Sequence, residues 1–121
     1  MDRIVGIGEY DVSNSKNDII KTFALASCVA VTAYSLLKMA AGMVHIVLPS
    51  PVASNKKIIT RPCYYASSGI HLLIDRMCSS FDCPKDELVV NIFGGADSIL
   101  KSDVFNIGKK NIKAVKATLV K

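Results

Sequence analysis

Two side chains in the first half of this chain are of the types that perform nucleophilic catalysis. Cys28 follows a loop of small residues and enters a β-like run, while His45 lies in a second β-like run. A thiolate is a strong nucleophile, and an imidazole can take up and return its proton. Taken alone, a cysteine in an apolar strand and a single histidine are more often structural core residues than catalytic ones, so the residue types by themselves favour the structural interpretation of Cys28 and His45.

The remaining cysteines and the second histidine are interpreted as structural. Cys63, Cys78, Cys83 and His71 form no Cys-x-x-Cys pair and no zinc-ligand spacing, so we predict no metal and no cofactor. The N-terminus shows no charged-then-apolar signal segment, which favours a cytoplasmic location with free thiols over two disulfides.

The chain of 121 residues is half hydrophobic and long enough to bury a core of its own. From residue 23 to residue 49 the only charge is Lys38, a length that would suffice for a membrane span. Lys38 divides the run into two shorter pieces, and Gly42 and Pro49 are residues that interrupt a regular helix. A pair of buried strands explains the run better, so we predict no membrane insertion.

The net charge of +5 resides entirely in the last segment of the chain. Residues 101–121 contain six lysines and one aspartate, whereas the rest of the chain is balanced. The solvated face of a terminal helix explains this excess better than docking of an acidic partner. No aromatic residues alternate with the lysines, so we do not expect nucleic-acid binding.

The order of the predicted elements indicates an α+β fold in a single domain over residues 1–121, with strands preceding helices. We predict a first strand at residues 3–12, a connecting segment at 19–27, a hairpin of strands 28–37 and 43–48, a helix at 64–79, a strand at 87–93 and an amphipathic helix at 108–121. The two principal helices are expected to pack on a layered sheet.

Several short motifs accompany the cysteine and the histidine. They are Gly6-Ile7-Gly8-Glu9-Tyr10, Thr22 ahead of Ser27-Cys28-Val29, His45-Ile46-Val47-Leu48-Pro49, Tyr65 at the start of a helix, Ile92-Phe93-Gly94-Gly95-Ala96, and Ile107-Gly108 ahead of Asn111. In this order and spacing they resemble the CheD family, the chemoreceptor glutamine deamidases of bacterial and archaeal chemotaxis. The resemblance covers nearly the whole chain.

The resemblance implies a catalytic triad of Cys28, His45 and Thr22 that converts glutamine to glutamate through a Cys28 thioester. It implies that Thr22 orients His45 and that backbone N–H groups of the loop containing Ala26 and Ser27 bind the oxyanion. It also implies a layered sheet or β-sandwich similar to the cytotoxic necrotizing factor deamidase domain. The same residues could hydrolyse glutamate methyl esters.

The implied partners are methyl-accepting chemotaxis proteins, as substrates, and a CheC-type phosphatase. An alternative function is therefore that of an adaptor that binds and stimulates this phosphatase with reduced or no catalysis.

Three departures from the family pattern are visible in the sequence. Ala24 and Ala26 occupy positions where the family usually has glycine, and Asn91 replaces a usual lysine. If either alanine position requires a positive φ, the alanine costs about 1 kcal/mol. The family usually continues beyond the last helix into further strands, which we expect to be absent here.

Overall fold

The computed structural model describes residues 1–49, 61–96 and 107–119. The strands are β1 (Asp2–Val5), β2 (Tyr10–Ser13), β3 (Ile19–Thr22), β4 (Val29–Ser35), β5 (Ala40–Ile46) and β6 (Val89–Gly94). The α-helices are α1 (Ala66–Phe81) and α2 (Ile107–Leu119), and short 3-10 turns cover Pro62–Tyr64 and Lys85–Glu87. The predicted α+β class is confirmed.

The strands form two sheets. Four of them make an antiparallel sheet in the order β2-β5-β4-β6, while β1 and β3 pair in parallel as a separate two-stranded sheet. The predicted hairpin is confirmed as β4 and β5, whose register runs from Val29 opposite Ile46 to Ser35 opposite Ala40. Five of the fourteen residues in its strands are β-branched, and such side chains pack well on a pleated surface.

One face of the larger sheet and the apolar side of α1 form the core. Alternate residues of β4 and β5 are fully buried against α1, among them Val29, Val31, Val44 and Ile46. The apolar stripe predicted for this helix is confirmed, since all its members are buried: Ala66, Ile70, Leu73, Ile74 and Met77. Helix α2 packs against α1 and β4 and buries Val115 completely.

Two predictions about the N-terminal region are wrong. Residues 3–12 form two strands in different sheets, because Gly8 adopts a φ of +72° and turns the chain between β1 and β2. The supposed connecting segment at 19–27 begins with a strand, β3, in which Ile19, Ile20 and Thr22 are β-branched and pair with β1. This strand carries Thr22 and is therefore important for the site.

The other elements were predicted correctly in type, with shifts at their ends. The strand expected at 87–93 is β6, shifted because a 3-10 turn occupies Lys85–Glu87. The helix expected at 108–121 begins at Ile107, and its last two residues lie outside the described part of the chain. Within the described ranges no helix is long and apolar enough to cross a membrane.

Candidate active site

The imidazole of His45 is held by the hydroxyl of Thr22. Thr22 Oγ1 lies 2.7 Å from His45 Nδ1 and also 2.7 Å from the carbonyl oxygen of Val5. The hydroxyl has one hydrogen, and only a donor can bind the Val5 carbonyl, so this hydrogen points to Val5. Thr22 must then accept a hydrogen bond from Nδ1–H. In the neutral ring Nε2 is consequently the unprotonated nitrogen.

The backbone of His45 is fixed as firmly as its ring. Its N–H donates to the carbonyl of Glu9 at 3.0 Å, and its carbonyl accepts from the N–H of Gly8 at 3.0 Å. Both partners belong to the turn between β1 and β2, and the positive φ of Gly8 shapes this turn. The N-terminal residues therefore determine both the position and the tautomer of His45.

The other ring nitrogen of His45, Nε2, carries the lone pair that can accept a proton. His45 is fully buried, and its Nε2 makes no hydrogen bond with any residue that the structure describes. Burial lowers the pKa of His45, because desolvation disfavours the charged imidazolium. At neutral pH this ring is therefore an uncharged base with a free lone pair.

Cys28 lies immediately before β4, at the His45 end of the hairpin. Ala30, two residues later, is the register partner of His45. Cys28 is partly buried, and this burial raises the pKa of its thiol, while the backbone N–H of Cys28 acts in the opposite direction. Thiol and imidazole are thus both neutral at rest, and a preformed thiolate–imidazolium pair is not favoured by this environment.

Three consecutive carbonyls of the loop before β4 are bound from outside the loop. Ala26 accepts from the N–H of Ala96 at 2.7 Å, and Cys28 accepts from the N–H of Gly95 at 2.8 Å. Between them, Ser27 accepts from the side-chain amide of Asn111 at 2.8 Å. Among the described residues the N–H groups of Ser27 and Cys28 donate to no backbone carbonyl.

The glycine pair after β6 allows this close approach. Gly94 has a φ of +90°, and a Cβ atom there would lie 2.4 Å from the carbonyl oxygen of Cys28. A side chain at this position would push the loop before β4, which contains Cys28, away from the end of β6.

The two alanines that depart from the family pattern differ in conformation. Ala24 has a φ of +61°, in the left-handed region that favours glycine, and it is exposed. Ala26 is not among the described non-glycine residues with a positive φ. The expected conformational penalty thus applies to Ala24 and not to Ala26.

A groove of about 560 Å³ runs along the sheet face opposite the core, and its described lining residues include Thr22 but neither Cys28 nor His45. Its floor consists of β4 and β5 residues, namely Ala30, Thr32, Tyr34 and Met43. Phe23 and Phe93, which are 62% and 51% exposed, stand among its lining residues. Exposed aromatic side chains beside a groove are typical of a surface that binds an apolar partner.

The sequence motifs predict Thr22, Cys28 and His45 as site residues, and the structure joins Thr22 to His45. The motifs do not predict the contacts of Val5, which the sequence assigns to one longer strand, or those of Asn111, which belongs to a motif without an assigned role. One signal was available for Asn111, since it shares the apolar side of α2 with Gly108, Ile112 and Val115. A polar residue on a buried helix face must bind something.

Comparisons with known proteins show the family. The family model described as "CheD chemotactic sensory transduction" matches residues 47–121. A protein of Syntrophotalea carbinolica named "probable chemoreceptor glutamine deamidase CheD" is 45% identical over 99% of this chain and 75% of its own length. Proteins with the same name from Desulforamulus reducens and Thermococcus kodakarensis are 38% and 34% identical, over 95% and 97% of this chain and 69% and 71% of their own lengths.

Proposed function

Because this chain belongs to the CheD family, we propose that it deamidates specific glutamine side chains of methyl-accepting chemotaxis proteins, with Cys28 as the nucleophile. The observation that carries the proposal is the hydrogen-bonded chain from Val5 through Thr22 to His45 Nδ1, which leaves Nε2 as a buried base without a partner. A buried acceptor without a partner is costly unless a reacting group uses it.

The first half of the reaction forms a thioester and releases ammonia. Nε2 of His45 takes the thiol proton while Cys28 Sγ attacks the carboxamide carbon, and the N–H groups of Ser27 and Cys28 stabilise the oxyanion. The imidazolium then gives its proton to the departing nitrogen, and the carbon–nitrogen bond breaks. Proton transfer during attack suits a site in which both groups are neutral at rest.

The second half consumes one water molecule. Nε2 removes a proton from the water as its oxygen attacks the thioester carbon, and the carbon–sulfur bond breaks to give the glutamate carboxylate. Cys28 recovers its proton from the imidazolium, and the proton of the new carboxylic acid passes to ammonia, so the sum is glutamine plus water to glutamate plus ammonium. Thr22 keeps the ring oriented throughout, because its hydroxyl is itself anchored on Val5.

The groove beside Thr22 is the route by which we expect the substrate to enter. The reactive side chain would extend past Thr22, while apolar residues on either side of it contact Phe23 and Phe93. Methyl ester hydrolysis at the same thiol would follow the same steps with methanol as the leaving group. The segments modified would lie in the cytoplasm.

The alternative function is binding and stimulation of a CheC-type phosphatase. The positive φ of Ala24 supports it, because a strained loop four residues before Cys28 would weaken catalysis more than surface recognition. A Cys28→Ala protein that still stimulates the phosphatase would show that the two functions are separable.

The test is mass spectrometry of a receptor cytoplasmic fragment after incubation with the purified protein. We expect conversion of glutamine to glutamate by the wild type, none by Cys28→Ala or His45→Ala, and conversion about 100-fold slower by Thr22→Val. Cys78→Ala, which changes a partly buried thiol of α1, is the matched control and should remain active. Deamidation by Cys28→Ala above the uncatalysed rate would exclude the proposed nucleophile.

A further inference from the structure

Asn111 connects the two parts of the chain that carry the nucleophile and the base. Its amide nitrogen lies 2.8 Å from the carbonyl oxygen of Ser27 and 2.9 Å from that of Val47. Ser27 directly precedes Cys28, and Val47 follows His45 by two residues. One amide nitrogen offers two hydrogens at a fixed angle, so it holds the two carbonyls at a fixed separation.

This connection lies just beyond the point where the backbone hydrogen bonds between β4 and β5 end. The β4–β5 register ends at Val29 opposite Ile46, and beyond that pair the two chains turn to other partners. The N–H of Val47 donates to Tyr64, and the carbonyl of Cys28 accepts from Gly95. Asn111 therefore bridges the two diverging chains immediately beyond the last ladder pair.

The position of Asn111 depends on Gly108, which lies one helical turn earlier in α2. A Cβ atom at Gly108 would lie 2.2 Å from the carbonyl oxygen of Ala96, so α2 approaches the end of β6 as closely as its backbone permits. Asn111 is fully buried, and its Oδ1 has no hydrogen-bond partner within the described residues. Reversing the amide would direct this oxygen at two carbonyls, so the two N–H donors must face Ser27 and Val47.

We propose that Asn111 is a positioning residue. By donating to the carbonyls of Ser27 and Val47, it fixes the spacing between Cys28 and His45. The inference rests on the proposed function, in that it assigns Cys28 and His45 as the reacting pair. Asn111 does not contact the substrate. Its contribution is the alignment that lets Nε2 of His45 take the Cys28 proton.

The experiment measures how strongly His45 assists Cys28, with and without Asn111. Iodoacetamide alkylation of Cys28 is followed by mass spectrometry near neutral pH, in the wild type and in His45→Ala. The same pair is then made in Asn111→Leu and in Asn111→Ser. The serine leaves room for a water that can satisfy the carbonyls, so it disturbs folding least. Circular dichroism confirms that each protein is folded.

In the wild-type background, His45→Ala should slow alkylation at least about tenfold, because general-base assistance is lost. In either Asn111 background the same change should slow it less than about twofold, because a displacement of about 1 Å already removes most of the benefit of alignment. Thr118→Ala, which removes another side-chain hydrogen bond of α2, is the matched control and should leave the tenfold effect intact.

An equal effect of His45→Ala in the wild-type and Asn111 backgrounds, including no effect in either, would overturn the inference. Lower thermal stability with unchanged His45 dependence would also overturn it, since that result describes a purely structural residue. Alkylation does not require the receptor. A wild type that fails to deamidate glutamine would thus refute the proposed function and leave this test in force.

Discussion

Replacing Ala24 with glycine should stabilise this protein, although glycine substitutions usually destabilise. Ala24 has a φ of +61°, where an L-residue with a Cβ pays about 1–2 kcal/mol of steric strain. Glycine removes this strain but increases the entropy of the unfolded chain, at a cost of about 0.4–1 kcal/mol. The net gain is about 0.5–1 kcal/mol, which for a chain of this length raises Tm by about 2–5 °C.

Ala26→Gly is the internal control for this prediction. Ala26 lies two residues further in the same loop and does not have a positive φ, so its replacement should cost about 0.4–1 kcal/mol. Urea unfolding followed by circular dichroism measures both variants. The reasoning would be refuted if Ala24→Gly lowered the free energy of unfolding by as much as Ala26→Gly does.

Three further predictions concern the site. Thr22→Val should lower kcat about 100-fold by removing the acceptor for His45 Nδ1–H, and Thr22→Ser should retain most of the activity; equal losses in steady-state assays would contradict this role. Burial lowers the pKa of His45 in the folded state, so the unfolded chain binds more protons below about pH 6.5, and stability should fall from there as the pH decreases. His45→Gln should weaken this pH dependence of the free energy of unfolding, measured by urea unfolding at several pH values. An unchanged pH dependence would assign the effect to other groups. Phe23→Ala and Phe93→Ala should raise KM for the receptor fragment with little change in Cys28 alkylation, whereas Leu36→Ala, which is more exposed but does not line the groove, should leave KM unaffected; equal KM changes in all three would show that the groove does not bind the substrate.

The sequence correctly predicted the elements that have strong hydrophobic periodicity. The stripe of α1 and the β4–β5 hairpin follow directly from side-chain spacing, because each buries one regular face. The division of the N-terminal region was missed, since it depends on the positive φ of Gly8 and on a parallel pairing between β1 and β3. Such pairings between distant segments leave little local signal.

For the candidate site, too, the sequence indicates the residue types, whereas the contacts between them depend on how distant segments pack. Cys28 and His45 are distinctive residue types, and their motifs place them in a family. The hydrogen bonds of Thr22 depend on Val5 across the β1–β3 pair, and the contacts of Asn111 depend on how α2 docks. The need for a positive φ at Ala24 and not at Ala26 likewise could be determined only from the backbone.

The hydrogen bond between Asn111 and Ser27 joins residues that are 84 positions apart. The loop before β4 is therefore held by an element far along the chain, whereas His45 is held by β1 and β3 through Val5 and Thr22. A folding intermediate in which α2 has not yet docked would contain Thr22, Cys28 and His45 but not the contact that holds this loop. Under the proposed function, reactivity at Cys28 would accordingly report the docking of α2.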